Sequence, residues 1–166
     1  STIMGYAGIT GADDVQQHSD PYFHYFSIQN VRAHIDNEAL CATEILISES
    51  TPSIEAGEDF TIPNTTPYEL KATISNQEGY THTYTWEQLD SGQSGSSSFG
   101  PTATTGPQLR SLAPVLSSKR MIPNLAQVLT GELTQTNPST ASSWETLSSV
   151  GRTMNWGVTL RSVPQT

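Results

Sequence analysis

Cysteine is almost absent from this chain, and Cys41 is the single one among its 166 residues. One cysteine excludes a disulfide within the chain, so Cys41 is either a free thiol or is paired with a cysteine outside this sequence. Long apolar runs are absent as well. No stretch approaches the roughly eighteen apolar residues that a membrane-spanning helix needs, so we expect no membrane span.

Basic residues are also scarce, with seven Lys and Arg against sixteen Asp and Glu, which gives a formal net charge of −9. A chain with no basic stripe cannot neutralise a phosphate backbone, so we exclude nucleic acid as a partner. Charged residues of either sign make up only 14% of the chain. The low charge, together with many Ser and Thr, favours a β-rich extracellular surface.

The first eleven residues are apolar and rich in glycine. Gly5, Gly8 and Gly11 recur at a spacing of three, and glycine permits backbone angles that other residues resist. This spacing predicts a tight turn with a methionine near its centre. The apolar residues between the glycines are predicted to be buried: Ile3, Met4, Tyr6 and Ile9.

A helix is predicted after this turn. Residues 19–21 (Ser-Asp-Pro) indicate a helix start, because a capping side chain precedes a proline in the first turn. Apolar residues then recur at helical spacing to about Asn37, namely Phe23, Phe26, Ile28, Val31 and Ile35. The helix has a wide apolar stripe that needs cover. That cover is either the rest of this chain or a second copy of it, which would form a dimer.

The periodicity of the sequence changes near residue 54. We divide the chain into an N-terminal unit at residues 1–40, a linker at 41–53 that includes some strand character at 42–47, and a second unit at 54–166. Alternating apolar residues in the second unit predict strands. The predicted strands lie near residues 60–62, 68–75, 81–89, 109–115, 119–122 and 152–161.

Three further features complete the second unit. One or two helical turns are predicted at 124–129 and a short element at 144–147. A long Gly/Ser-rich loop at 90–106 is either a binding loop or a solvated insertion. The expected aromatic core is Tyr68, Tyr84, Trp86 and Trp156. The fold class is therefore mainly β: an immunoglobulin-like antiparallel β-sandwich preceded by a turn and an α-helix.

Two parts of the sequence resemble one family. Residues 2–8 (Thr-Ile-Met-Gly-Tyr-Ala-Gly) resemble the Met-turn of the metzincin zinc proteases. Residues 15–24 (Val-Gln-Gln-His-Ser-Asp-Pro-Tyr-Phe-His) resemble the segment that follows this turn in bacterial reprolysin-like peptidases. Phrases of the second unit look like the β-domain that follows the catalytic domain there: residues 61–63, 66–70, 84–88, 118–123 and 152–156.

The resemblance implies that the chain is the C-terminal part of a secreted zinc-dependent endopeptidase. Met4 would form the floor of the active site, and Gly5, Ala7 and Gly8 would form part of the wall of the substrate pocket. Tyr6 matches a tyrosine that ligates or flanks zinc in the astacin and serralysin branches, where its hydroxyl can stabilise an oxyanion. The other interpretation of Tyr6 is a packed side chain with its hydroxyl bound to the backbone.

The zinc-binding helix of that family, H-E-x-x-H-x-x-G-x-x-H, does not occur in this sequence. His18 and His24 are six residues apart with no Glu in the required place, and His34 and His82 belong to other patterns. We therefore expect no metal ligand and no peptidase activity in this fragment alone. Zinc would belong to the intact protein, whose ligand helix lies upstream.

A second hypothesis belongs to a different class of function. The chain would then be a non-catalytic extracellular binding or adhesion module. Under the first hypothesis the partner is a protein or peptide substrate, bound through the catalytic half upstream of this sequence.

Overall fold

The computed structural model describes residues 2–39, 41, 43, 45, 51–76 and 79–164. An N-terminal segment, residues 2–39, contains a short 3₁₀ turn at Gly11–Asp13 and helix α1 at Tyr25–Asn37. The remainder, here called the β body (residues 51–76 and 79–164), contains six strands and one short helix. These are β1 Ser53–Glu55, β2 Tyr68–Lys71, β3 Thr73–Ser75, β4 Tyr80–Gln88, β5 Lys119–Ile122, α2 Leu125–Thr130 and β6 Trp156–Pro164.

The strands pair as three antiparallel ribbons. The longest joins β4 to β6, with Tyr80 opposite Pro164 at one end and Gln88 opposite Trp156 at the other. The other two ribbons join β2 to β5 and β1 to β3. Isolated bridges place Val115 beside β4, through Tyr84, and Glu145 beside Leu109. The chain is thus mainly β and consists of small antiparallel sheets with few helices.

One apolar core lies between the ribbons. Its buried members come from β2, β4, β5 and the segments that connect the strands: Leu70, Ala72, Trp86, Leu109, Ile122 and Leu147. Trp86 was expected in this core, and its indole nitrogen donates a hydrogen bond to the Ser118 carbonyl at 3.0 Å. Tyr84 is buried as well, whereas Tyr68 and Trp156 pack on the margin of the core. The predicted aromatic core is therefore confirmed, with two of its members at the edge.

Several predicted strands are shorter than the sequence pattern suggested. The run at 68–75 is divided at Ala72, whose N–H bonds the Ser118 carbonyl at 3.1 Å, and the chain then changes partner from β5 to β1. Residues 60–62 form no strand, and Phe60 and Ile62 are exposed. Residues 109–115 supply only the two bridges, and residues 152–155 precede β6. The predicted strand character at 42–47 falls largely outside the described residues.

The loop at 90–106 contains no helix or strand, as the sequence indicated. It is nevertheless fastened to the β body, because Phe99 is buried and packs edge-on against Trp144 at a centroid distance of 5.4 Å. The Arg152 guanidinium donates to the carbonyls of Ala103 and Gly106, at 3.2 and 2.9 Å. Backbone carbonyls here are satisfied by a buried cation, which explains how a loop without regular structure is held.

Helix α1 begins at Tyr25, later than residues 19–21 predicted. The reason is that the preceding carbonyls are already engaged outside the helix. The Tyr22 carbonyl accepts the Ile3 N–H at 3.0 Å, and the Phe23 carbonyl accepts the Arg161 guanidinium at 2.8 Å. His24 then acts as the N-cap, since its Nδ1 accepts the Phe26 N–H at 3.3 Å.

The apolar stripe of α1 remains mostly open in this chain. No residue of the helix is buried, and exposed positions include Phe26, Ile28, Val31 and Ile35. A groove of about 1100 Å³ separates the helix from β6, and Tyr25, Ile28, Ile54, Val158 and Leu160 are among its lining residues. The helix therefore meets the β body mainly through its first turn. None of the described helices is long and apolar enough to cross a membrane.

Ionisation of Tyr68 should destabilise the folded β body at alkaline pH. Burial raises the pKa of its hydroxyl to about 12 from an ordinary value of 10.0. Because the folded chain holds this proton more tightly than the unfolded chain, the stabilisation is complete below about pH 10 and is lost as the pH rises towards 12. We expect the free energy of unfolding to fall by about 2 kcal/mol across this window. Tyr68→Phe should remove that part of the pH dependence in urea unfolding; an unchanged slope would contradict the assignment.

Candidate functional site

Residues 2–8, which resemble a Met-turn in sequence, form a tight turn whose backbone atoms are held by hydrogen bonds. The Gly5 N–H donates to the Thr2 carbonyl at 2.8 Å, which closes a four-residue β-turn with Ile3 and Met4 at its corner. The Ile3 N–H donates outward to the Tyr22 carbonyl, and the Ser19 hydroxyl donates to the Gly5 carbonyl at 2.8 Å. The turn is therefore held from both sides.

The apolar side chains of this turn are not buried, contrary to the sequence prediction. Met4 is 67% exposed and Tyr6 is 85% exposed, and Ile3 and Ile9 are exposed too. The hydrogen bonds described for the turn engage its backbone atoms, so they do not require its apolar side chains to be buried. The ring of Tyr6 is thus mostly exposed in this chain, and the turn presents apolar side chains to the outside.

The predicted wall residues lie along the same turn. Gly5 and Ala7 are half-buried, and Gly8 is exposed. Gly8 has a φ of +75°, and a Cβ built there would lie 2.5 Å from the Gln17 carbonyl oxygen. A side chain at this position is thus disfavoured twice, by the left-handed backbone and by a backbone atom that cannot swing aside. The turn depends on glycine here for a physical reason.

Gly8→Ala tests that dependence, and Gly11→Ala is its matched control. Gly11 also has a positive φ, +66°, but a Cβ there would meet nothing within 4 Å. We expect Gly11→Ala to cost about 1 kcal/mol from backbone strain alone, and Gly8→Ala to cost about 1–2 kcal/mol more. Thermal unfolding of the two variants measures the difference. Equal melting temperatures would show that the approach of Gln17 does not constrain the turn.

An aspartate closes the segment after the turn. The Asp14 carboxylate is buried and accepts hydrogen bonds from the Thr10 N–H at 3.1 Å and the Thr10 hydroxyl at 2.7 Å. These hydrogen bonds lower the pKa of Asp14 below its ordinary value, and the bond from the Thr10 hydroxyl has the largest effect. Asp14 therefore stays ionised at neutral pH and locks the loop that leads into residues 15–24.

The N-terminal segment is fastened to the loops of the β body by polar contacts. The Asp13 carboxylate accepts the Ser96 N–H at 2.5 Å. The Arg110 guanidinium donates to the Gln16 side-chain oxygen. The Val15 carbonyl accepts the Ala141 N–H at 3.2 Å. Each contact joins residues far apart in the sequence, so the two predicted units touch through an ordered interface.

A buried carboxylate on β4 receives the start of α1. Glu87 has no exposed surface, and its Oε2 accepts the Tyr25 N–H at 2.7 Å. Its Oε1 accepts the Ser111 hydroxyl and lies 3.5 Å from His24 Nε2. Because His24 Nδ1 accepts a backbone N–H, the imidazole proton in the neutral ring is on Nε2, which faces the carboxylate.

Tyr22 extends this cluster towards the turn. Its hydroxyl lies 2.7 Å from Ser111 Oγ. Since the single Ser111 proton is donated to Glu87, the Tyr22 hydroxyl is the donor to Ser111. Burial raises the pKa of Tyr22, which keeps it a neutral donor at physiological pH. The Arg161 guanidinium stacks over the Tyr22 ring, 5.5 Å from its centroid. Glu87, Ser111 and Arg161 thus form one polar contact site for residues 22–25, here called the seat.

The four histidines are used separately in the structure. His24 caps α1, His34 contacts Glu38 one helical turn later at 3.1 Å, and His82 contacts Ser162 across the β4–β6 ribbon at 3.0 Å. His18 is exposed. Within the described ranges, no three His, Cys, Asp or Glu side chains are grouped so that they could hold a metal ion. Cys41 is an exposed free thiol in the structure.

Sequence reasoning missed Glu87, Ser111 and Arg161. Alternation along β4 assigned Trp86 and its neighbours at even numbers to the apolar face, which leaves Glu87 on the face expected to be solvated. The N-terminal segment covers that second face at the end of the strand, so residues on both faces are buried there. The sequence carries no local signal for this burial, because residues 81–88 alternate in polarity and do not form the continuous apolar run that is typical of a strand buried on both faces.

A smaller cavity of about 400 Å³ lies between the turn and the β body. Its walls include Thr2 and Gly5 from the turn, His24 and Phe26 from the start of α1, and Arg110 and Trp144 from the β body. The cavity is mixed in character, with apolar rings beside a cation. Met4 and Tyr6 are not among the residues that line it.

Searches of the chain against family models, curated proteins and solved structures found no match.

Proposed function

We propose that this chain is the C-terminal part of a secreted bacterial zinc-dependent endopeptidase of the metzincin, reprolysin-like class. Residues 1–40 would complete its catalytic domain, and residues 54–166 would be an accessory immunoglobulin-like module. The observation that carries the proposal is the turn at residues 2–5. It has the residues of a Met-turn, it is fixed by backbone hydrogen bonds, and it presents Met4 and Tyr6 on an uncovered apolar surface.

The exposure of these side chains supports a missing neighbour. A soluble chain gains little by fixing methionine, tyrosine and isoleucine outward on one turn unless another surface packs there. In the proposal that surface is the upstream half of the catalytic domain. The open stripe of α1, with Val31 and Ile35 exposed, is the second surface that this half would cover.

The residues described here do not form a zinc site, because no suitable group of ligands exists among them. The proposal therefore assigns the ligands to the upstream helix and assigns a different task to this chain. Met4 supports the site from below, and Gly5, Ala7 and Gly8 form one wall of the substrate pocket. The Tyr6 hydroxyl donates a hydrogen bond to the oxyanion that develops on the scissile carbonyl.

The immunoglobulin-like arrangement of the β body is also part of the proposal. It is supported by three antiparallel ribbons around one core, by a tryptophan buried in β4, and by bridges that add neighbours at Tyr84 and Leu109. Such a module would stabilise the catalytic domain or bind substrate beside it.

The alternative is a non-catalytic extracellular binding or adhesion module. One observation favours it: a groove of about 1100 Å³ lies between α1 and β6, and its lining includes the apolar side chains of Ile28, Ile54, Val158 and Leu160. In the proposed peptidase this groove is a by-product of a helix docked only at its first turn.

One test separates the two functions. The coding sequence upstream of Ser1 should encode H-E-x-x-H-x-x-G-x-x-H within some tens of residues, because the zinc helix must reach over the turn. An upstream sequence without such a ligand set would contradict the peptidase function and favour the binding module.

A further inference from the structure

Glu87 is the point where the β body holds the N-terminal segment. Its two oxygens are shared between the backbone of Tyr25 and the hydroxyl of Ser111, and the carboxylate has no exposed surface. A buried carboxylate is costly unless it is well hydrogen-bonded, so these partners are needed for the fold as it stands. The arrangement fixes residue 25 against β4.

A series of hydrogen bonds leads from this carboxylate to the turn and passes through both the side chain and the backbone of Tyr22. Glu87 accepts from Ser111, Ser111 accepts from the Tyr22 hydroxyl, and the Tyr22 carbonyl accepts the Ile3 N–H at 3.0 Å. Ile3 is a corner residue of the turn that carries Met4. The position of the turn is thus set by a carboxylate about 85 residues later in the sequence, two side chains away.

We propose that Glu87 is a positioning residue of the active site, which makes the β body an integral part of the catalytic apparatus rather than a detachable accessory. This inference rests on the proposed function for its catalytic consequence only. The mechanical link between Glu87 and the turn stands on the contacts themselves. It deepens the proposed function by naming the device through which the second unit acts on the first.

Arg161 supports the same seat from β6. Its guanidinium donates to Thr85 on β4 at 2.8 Å and to the Phe23 carbonyl at 2.8 Å, and it stacks over the Tyr22 ring. Residues 22–25 are therefore clamped between a carboxylate and a guanidinium that both belong to the β4–β6 ribbon. The ribbon pairs nine consecutive residues of β4 with nine of β6, which suits it as a rigid reference for the turn.

The first arm of the test uses this chain alone and does not depend on peptidase activity. Amide hydrogen exchange is followed at Ile3 and Tyr25, with Tyr84 as the internal reference inside the ribbon. In Glu87→Ala we expect exchange at Ile3 and Tyr25 to accelerate about 100-fold, while exchange at Tyr84 changes less than about 3-fold. Glu87→Gln should restore protection at Tyr25, because its side-chain carbonyl can accept the Tyr25 N–H, and only part of it at Ile3, because its amide can donate to Ser111 but also faces the His24 Nε2–H.

Two further variants cover the case in which Glu87→Ala does not fold. Ser111→Ala and Tyr22→Phe each break the link to the turn while leaving the carboxylate bound to Tyr25. Each should accelerate exchange at Ile3 about 10-fold with little change at Tyr25. Ile122→Val, which weakens the core without touching the seat, is the control for a general loss of stability. Unchanged exchange at Ile3 in folded Glu87→Ala or Ser111→Ala would overturn the proposal, as would equal acceleration at Tyr84.

The second arm uses the intact protein with its upstream sequence. In Glu87→Ala, kcat should fall about 10- to 100-fold while KM changes less than about 3-fold, because a displaced turn misplaces the reacting groups. Glu87→Gln should recover most of kcat, whereas Ile122→Val should leave it unchanged. If the wild-type protein cleaves nothing, the proposed function fails and the exchange arm alone decides the link. If it cleaves and Glu87→Ala retains full kcat, the positioning role is wrong.

Discussion

Arg120→Met is expected to lower the free energy of unfolding by about 3–5 kcal/mol. The Arg120 and Glu145 side chains are only 8% and 2% exposed, and they meet at 2.6 Å. Arg120 also donates to the carbonyls of Trp86 and Arg110, at 2.6 and 2.8 Å. Removing the guanidinium would leave these two carbonyls without that donor and Glu145 as a buried charge without its cation.

The adjacent residue on β5 supplies a matched control. Lys119 pairs with Glu69 at 2.8 Å, but these side chains are 50% and 38% exposed. Since water already solvates both charges, Lys119→Met should cost less than about 1 kcal/mol. Urea unfolding, followed by tryptophan fluorescence, compares the two variants under one set of conditions.

The double variant Arg120→Met, Glu145→Gln isolates the cause. Glutamine removes the buried charge and can still accept the Asn124 N–H, which Glu145 accepts at 2.8 Å in the native chain. We therefore expect the double variant to be more stable than Arg120→Met alone. If Arg120→Met costs no more than Lys119→Met, the pair is not a structural centre of the β body.

Tyr6→Phe is expected to lower kcat about 10²- to 10³-fold in the intact, zinc-loaded protein, with KM changed less than about 3-fold. The substitution removes only the hydroxyl and keeps the ring on a turn whose backbone is fixed by other residues. In the proposal this hydroxyl serves the developing oxyanion and not the bound substrate, so the loss should appear in kcat.

Met4→Leu is the companion variant at the same turn. It conserves volume and leaves every hydrogen bond of the turn in place, so we expect kcat to fall less than about 10-fold. Zinc content is measured in parallel to confirm that each variant retains its metal. A Tyr6→Phe protein with normal zinc and kcat within about 3-fold of wild type would refute the oxyanion role.

Much of the β body was predictable because its signals are local. Alternation identified β4 and most of β6, and the one or two helical turns predicted at 124–129 coincide with α2. In the structure Asn124 caps that helix, since its side chain accepts the Gln127 N–H at 3.2 Å, and Gly131 follows with a φ of 74°. These features depend on neighbours within a few residues, which a single sequence displays.

The misses share a physical cause, which is dependence on distant residues. Helix α1 begins late because the carbonyls of Tyr22 and Phe23 bond Ile3 and Arg161. The strand at 68–75 divides because Ala72 bonds Ser118 before the chain turns to β1. The burial of Glu87 depends on a segment about 60 residues earlier in the chain. Periodicity reports which face of an element is apolar, and it carries no information on what covers that face.

The turn at residues 2–8 also shows that sequence predicts local shape better than burial. Its glycines predicted a tight reversal, and the structure contains one. The predicted burial of Ile3, Met4, Tyr6 and Ile9 was wrong for this chain, because all four side chains are exposed. In the proposal, these four residues pack against a part of the protein upstream of this sequence. Apolar composition predicts that such residues need cover, but it does not show which molecule or segment supplies it.

The measurement that tests this account most directly is zinc-dependent proteolysis by the intact protein, made from its upstream coding sequence together with residues 1–166. We predict one zinc per chain and cleavage of casein that 1,10-phenanthroline abolishes and added zinc restores. The same protein lacking residues 1–40 of this sequence should lose that activity. Absence of both zinc and cleavage in a folded intact protein would contradict the central claim.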